Sequence, residues 1–266
     1  MTLDVRRALQ AGYDGLTSTA GLNVFSVLLV FYIAYDAVSQ SFSQQLLVQT
    51  GAGFPPPFGV DTLAFELPLS VLAALTAAAV VSQEAVRFWA IQQFAESSVP
   101  TLQERARILL AVGGGVALFV YGVEQAFRVV WYGPGAGTGR QFPIVASVAV
   151  AVAVAPILLV TVYLRQEIAL TAAGPAETVR NSVVRFRDAP VWIFGLLLLL
   201  TVLGQVAFLP SAVLARLVTV RAGSTLYVLF ELLHRTLFTA VSTFSIATIT
   251  EAYLQVRGEA DDIGSV

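Results

Sequence analysis

The chain has 266 residues, 57% of them hydrophobic and 12% charged, with a formal net charge of −2. A water-soluble domain carries about a quarter charged residues, and one core could not hide this much apolar surface, so lipid must cover the excess. The absence of cysteine excludes disulfide frameworks, zinc–thiolate sites and thiol redox chemistry, and no basic patch is large enough for nucleic acid. All fifteen basic residues are Arg, as a GC-rich genome would produce, and an acidic, lysine-free membrane protein suits a salt-adapted organism.

The first element is an amphipathic helix. Val5, Leu9, Tyr13 and Leu16 share one face, with Arg6, Arg7 and Asp14 off it, the pattern of a helix lying in the membrane interface. The first apolar run starts near Gly21, behind this polar segment, and has span length. It is expected to stay as a transmembrane helix and not to be cleaved as a signal. A helix rises about 1.5 Å per residue, so roughly 20 apolar residues cross a hydrocarbon core about 30 Å thick. Six spans are predicted, at about 21–40, 64–85, 108–130, 143–164, 190–209 and 227–252. Gln141–Leu164 and Pro190–Leu209 carry no charge at all. Val145–Ala155 alternates like a strand, but the run is too long for one, and a lone strand would leave its backbone unpaired in lipid.

Short helices are also predicted ahead of the third and fifth spans. Thr101-Leu-Gln-Glu104 after Pro100 is a capping box. Pro175 marks a helix start with Glu177 in its first turn; Val179, Val183 and Phe186 form its apolar stripe, flanked by Arg180, Arg185 and Arg187.

Arginine placement sets the expected orientation. Arg6, Arg7, Arg87, Arg105, Arg107, Arg165, Arg180, Arg185, Arg187 and Arg257 fall on one side; Arg128, Arg140, Arg216 and Arg221 fall on the other. This puts both termini in the cytoplasm and makes Ser41–Asp61, Trp131–Phe142 and Pro210–Thr225 the outer loops. The predicted fold is an all-α polytopic membrane helix bundle. Six transmembrane helices and their interfacial amphipathic helices form a single transmembrane domain over 1–257, followed by an acidic cytoplasmic tail over 258–266.

A threefold internal repeat of hairpins is suggested over 1–88, 89–171 and 172–255. Each even-numbered span ends in a similar segment, Gln83-Glu84-Ala85, Gln166-Glu167-Ile168 and Thr250-Glu251-Ala252, at intervals of 83 and 84 residues. Entry arginines recur as Arg6-Arg7, Arg105-x-Arg107 and Arg185-x-Arg187. Hairpins of fixed membrane length would give similar spacings by geometry alone.

This threading also brings seven polar residues to one depth near the outer leaflet: Asp36, Glu66, Glu124, Arg128, Glu231, His234 and Arg235. A charge in hydrocarbon costs about 2.5–3.5 kcal/mol, so such residues pair, face water or snorkel. Glu124 and Arg128 are four apart, as are Glu231 and Arg235, so each pair can close on its own helix. The alternative is one interhelical cluster lining an outward cavity. Close helix approach is expected at Ala111 and Gly115, with Gly113 and Gly114 between them, and on the small face Ala146, Ala149 and Ala153; a substrate passage along this seam is the functional alternative.

Catalytic motifs are missing. His234 is the only histidine, so neither H-E-x-x-H nor a multi-histidine metal site can form, and no Walker loop can form without Lys. No G-x-S-x-G elbow occurs. No catalytic, cofactor or metal residue is assigned.

Gly174-Pro-Ala-Glu-Thr-Val-Arg-Asn-Ser182, followed by Arg185–Pro190 and a new span, resembles a recurring feature of six-span haloarchaeal membrane proteins. These are similar to the membrane domain attached to some glycerophosphodiester phosphodiesterases. The closing Tyr253-Leu-Gln-Val-Arg-Gly-Glu259 fits the same pattern. The resemblance implies a membrane fold without catalytic residues, since the phosphodiesterase domain is absent here. The leading expectation is therefore a non-enzymatic accessory or scaffold subunit in the cell membrane, in contact with lipids and with a protein partner or further copies of itself. The alternative is a small transporter or permease using the outer charged cluster.

Overall fold

Where the described residues are apolar, the chain is helical. The computed structural model describes residues 3–49, 65–95, 100–132, 162–207, 209 and 225–263, without the side chains of 47, 127–132, 225–228, 230, 231 and 259–263. The described residues form an all-α bundle: α1 (Val5–Thr17), α2 (Thr19–Gln49), α3 (Leu69–Gln93), α4 (Leu102–Ile108), a π-helical turn (Leu109–Gly114), α5 (Gly115–Tyr132), α6 (Leu164–Leu170), α7 (Pro175–Asp188), α8 (Pro190–Ala207) and α9 (Thr225–Ile263). Among the described residues, five stretches are long and apolar enough to cross a membrane: Thr19–Leu46, Leu69–Gln93, Leu102–Ala126, Pro190–Ala207 and Leu232–Gly258. The predicted span at 143–164, its small face at Ala146, Ala149 and Ala153, and most of the predicted outer loops lie outside the described residues. So does the returning arm of the second suggested repeat.

The pattern of burial is inverted relative to a water-soluble protein. Val191 and Val30 are 78% and 71% exposed, while Glu84 and Glu167 are 2% and 0% exposed. Large side chains on the rim and charges in the middle are stable only where the rim meets hydrocarbon.

The helices run past the predicted span limits. α2 continues to Gln49 and α3 to Gln93, and α9 continues to Ile263 through most of the predicted tail. Hydropathy marks only the part of a helix that suits lipid. The backbone keeps its own hydrogen bonds beyond that point, so the helix continues through residues that hydropathy does not mark.

The short helices begin as the sequence predicts. Thr101 and Glu104 close a reciprocal capping box, at 2.7 Å from the Thr101 N–H to the Glu104 carboxylate and 3.3 Å from the Glu104 N–H to the Thr101 hydroxyl. Pro175 opens α7 with Glu177 in the first turn. Their closest packing is made by small residues. α1 buries Ala8 and Gly12, while Tyr13 is 64% exposed. A Cβ on Gly12 would lie 2.0 Å from the Thr248 hydroxyl of α9. α7 buries Thr178 and Ser182, not Val179, which is exposed. In both helices the small residues make the closest approach, because they let backbones meet, while Val5, Leu9 and Phe186 are half-buried against the core and Tyr13 and Val179 stay exposed.

Ser18 makes the elbow between α1 and α2. Its hydroxyl donates to the Gly15 carbonyl at 2.6 Å and accepts from the Gly21 N–H at 3.0 Å. Gly21 is required there: a Cβ would sit 1.9 Å from the Gly15 oxygen.

Candidate functional site

Charged side chains gather at two levels of the bundle. At the first level, Asp36 of α2 pairs with Arg235 of α9. The side chains are about one-fifth exposed, and the pair ties two helices together. The predicted intrahelical partners, Arg128 for Glu124 and Glu231 for Arg235, have side chains outside the described residues. His234 is buried, with Nδ1 3.0 Å from the Ala207 carbonyl of α8 and its ring stacked on Phe238. That is a helix-joining contact. Glu66 is exposed in the segment leading into α3. Glu124 is exposed on α5, near Tyr121. The Tyr121 hydroxyl shares a hydrogen bond with Ser39 at 3.1 Å, and Ser43 donates to the buried Gln125 at 3.2 Å. These contacts join α2 to α5 one turn beyond Asp36.

The second level is built around α6, a seven-residue helix buried at nearly every position. A helix this short cannot satisfy its own last carbonyls. Here three side chains do so: Arg105 Nε donates to Ile168 O at 3.0 Å, Gln92 Nε2 to Ala169 O at 3.3 Å, and Arg257 Nη1 to Leu170 O at 3.3 Å. The cations also complement the negative end of the helix dipole. Arg105 continues to Ala173 O at 2.7 Å.

The exit glutamates lie at this same level. Glu84 accepts from Arg165 Nε and Nη2 at 2.7 and 2.8 Å, and from Arg87 Nη1 at 3.1 Å. Glu167 pairs with Arg185, whose guanidinium also lies 5.2 Å over the Tyr253 ring. Glu251 pairs with Arg7 at 2.9 Å, and Gln255 accepts from the Asp4 N–H at 3.0 Å, which fastens the first helix to the last. Arg7, Arg87, Arg105, Arg165, Arg185 and Arg257, all assigned to one membrane side from sequence, meet around α6 and the adjoining turns of α9.

A cavity of about 310 Å³ lies between α3, α5 and the start of α6. Gly113, Val116, Ala117, Val120, Tyr121 and Glu124 line one wall, and their spacing puts them on one helical face. Val80, Gln83, Glu84 and Arg87 line another wall; Tyr35, Leu164 and Arg165 complete the described lining. From Gly113 to Glu124 is about 16 Å along the helix, so the cavity carries ions at both ends with an apolar middle.

The small-residue seam works differently from its prediction. A Cβ on Gly115 would meet nothing within 4 Å, whereas one on Gly114 would touch Val81 at 3.4 Å and one on Gly113 would approach Ile168 at 3.6 Å and Glu84 at 3.8 Å. The π turn rotates the helix face, so Gly113 and Gly114 make the close approach in place of Ala111 and Gly115.

Of the seven residues named from sequence, the structure joins Asp36 to Arg235, sets Glu124 in the cavity wall and leaves Glu66 and His234 elsewhere. It adds Glu84, Arg87 and Arg165, which the sequence marked only as repeat and topology signals. A glutamate late in an apolar run was the available clue. Among the described residues no group of three or more metal-ligating side chains forms. Comparison with family models, curated proteins and solved structures gives no match.

Proposed function

We propose that this is a multi-pass protein of the cell membrane with both termini cytoplasmic, and that its cavity admits a small polar or amphiphilic solute, as in a small transporter or permease. The carrying observation is the cavity wall on α5, where small and apolar residues from Gly113 to Val120 lead from the Glu84 ion cluster to exposed Glu124. Polar ends joined by a narrow apolar passage suit a solute that must enter without staying. The site differs from the one expected from sequence, because Asp36 and Arg235 neutralise each other beside it. No catalytic chemistry is assigned, and the resemblance to six-span haloarchaeal membrane proteins brings no catalytic residue. Membrane lipids are the surrounding partner, reached by Val191, Phe194, Leu198 and Val202 of α8.

The chain has no cysteine, so a single introduced thiol reports cleanly. Ala117→Cys in sealed vesicles should react with a membrane-impermeant thiol reagent from at least one side. Failure to react from either side would mean a dry centre and would favour the accessory or scaffold reading.

A further inference from the structure

We infer that the end of the cavity between Arg87 and Arg165 binds a phosphate-bearing anion. This rests on the cavity being a ligand site and names what that site takes. Glu84 is buried and receives both guanidinium groups, so the triad holds two positive charges against one negative. Among the described residues no second carboxylate pairs with either guanidinium. Glu124 stands about 16 Å along α5 from Gly113, which approaches Glu84. The stretch that leads into Arg165 is uncharged from Gln141 to Leu164 and so supplies no carboxylate either. Glu167 faces away to Arg185. One positive charge of the triad is left over at the cavity wall.

The donors are placed to use it. The side chains of Arg87 and Arg165 are 27% and 35% exposed, against 1% for Glu84. All three line the cavity, and the guanidinium groups are the more open. Arg165 gives Nε and Nη2 to Glu84, which leaves Nη1 outside that fork. Arg87 gives Nη1 to Glu84. Gln83, next in sequence, adds an amide to the same wall. Two guanidinium groups from different elements can both be satisfied by an anion with three or more acceptor oxygens. Phosphate esters offer that, whereas one carboxylate or halide does not. The anion can arrive as a phospholipid headgroup or as inorganic phosphate.

The test uses the full-length protein in uncharged detergent. Binding is followed by thermal shift and by titration with phosphatidylglycerol against phosphatidylcholine micelles, and with inorganic phosphate against chloride at equal ionic strength. The anionic lipid or phosphate should bind about tenfold more tightly than its control, and Arg165→Gln should remove that preference. Val120→Trp, which fills the cavity and leaves the ion pairs alone, should remove it too and decides the matter if Arg165→Gln does not fold. Preference for the lipid alone identifies a headgroup; a response to phosphate alone identifies the free anion. No preference in either arm, or a preference that survives Val120→Trp, overturns the inference. If the Ala117→Cys thiol reacts with water-borne reagent while no anion binds, the ligand class is wrong and the cavity reading stands. If the thiol is inert, the cavity reading itself fails.

Discussion

The two charged levels of the bundle differ in how they are held. Around α6, Glu84 and Glu167 are enclosed; Glu84 is met by Arg165 of α6 and Arg87 of its own helix, and Glu167 by Arg185 of α7. At the other level, Asp36 and Arg235 are both partly exposed and form one pair between α2 and α9. Arginine bias near one membrane side is usually read as a topology signal. Here the same arginines also satisfy buried carboxylates and the end of a buried helix, so one sequence feature serves orientation and packing together.

Removing a buried carboxylate should give the largest effect. Glu167→Ala strands the Arg185 guanidinium beneath Tyr253 and should destabilise the protein by about 3–5 kcal/mol, read as a large loss of thermal stability in detergent. Next should come Gly12→Leu, which drives a side chain into Thr248 and Phe244. Its cost should be about 1–3 kcal/mol, with faster hydrogen exchange in α1 while α2 and α3 keep their protection. Arg235→Ala should cost less than Glu167→Ala, because Asp36 and Arg235 are less enclosed than Glu167; about 1–2 kcal/mol is expected from thermal unfolding. Glu66→Ala should change stability by less than about 0.5 kcal/mol, since its side chain is exposed. An equal loss at Glu66 and Glu167 would erase the distinction between the two levels.

How far the sequence could be read depends on the range of the interaction. Rods such as α2, α3 and α8 follow from apolar run length, and the starts of α4 and α7 follow from Thr101–Glu104 and Pro175, because those signals are local. The partner of Glu84 does not follow, since Arg165 stands 81 residues away. For Arg235 the sequence offers only Glu231, one turn back on the same helix; the pairing with Asp36 of α2 could not be read from that spacing. The π turn was invisible to a pattern that assumes a fixed 3.6-residue period, and that turn decides which glycines touch α3. α6 was hidden because its seven residues look like the tail of a span. Only its burial and its capped carbonyls reveal it as the hub.

The comparison between the levels reduces to two coupling energies. Double-mutant cycles on Glu167–Arg185 and on Asp36–Arg235, each read from thermal unfolding in the same detergent, measure them directly. The account predicts a clearly larger coupling for Glu167–Arg185. A larger coupling for Asp36–Arg235, or none for Glu167–Arg185, would contradict it.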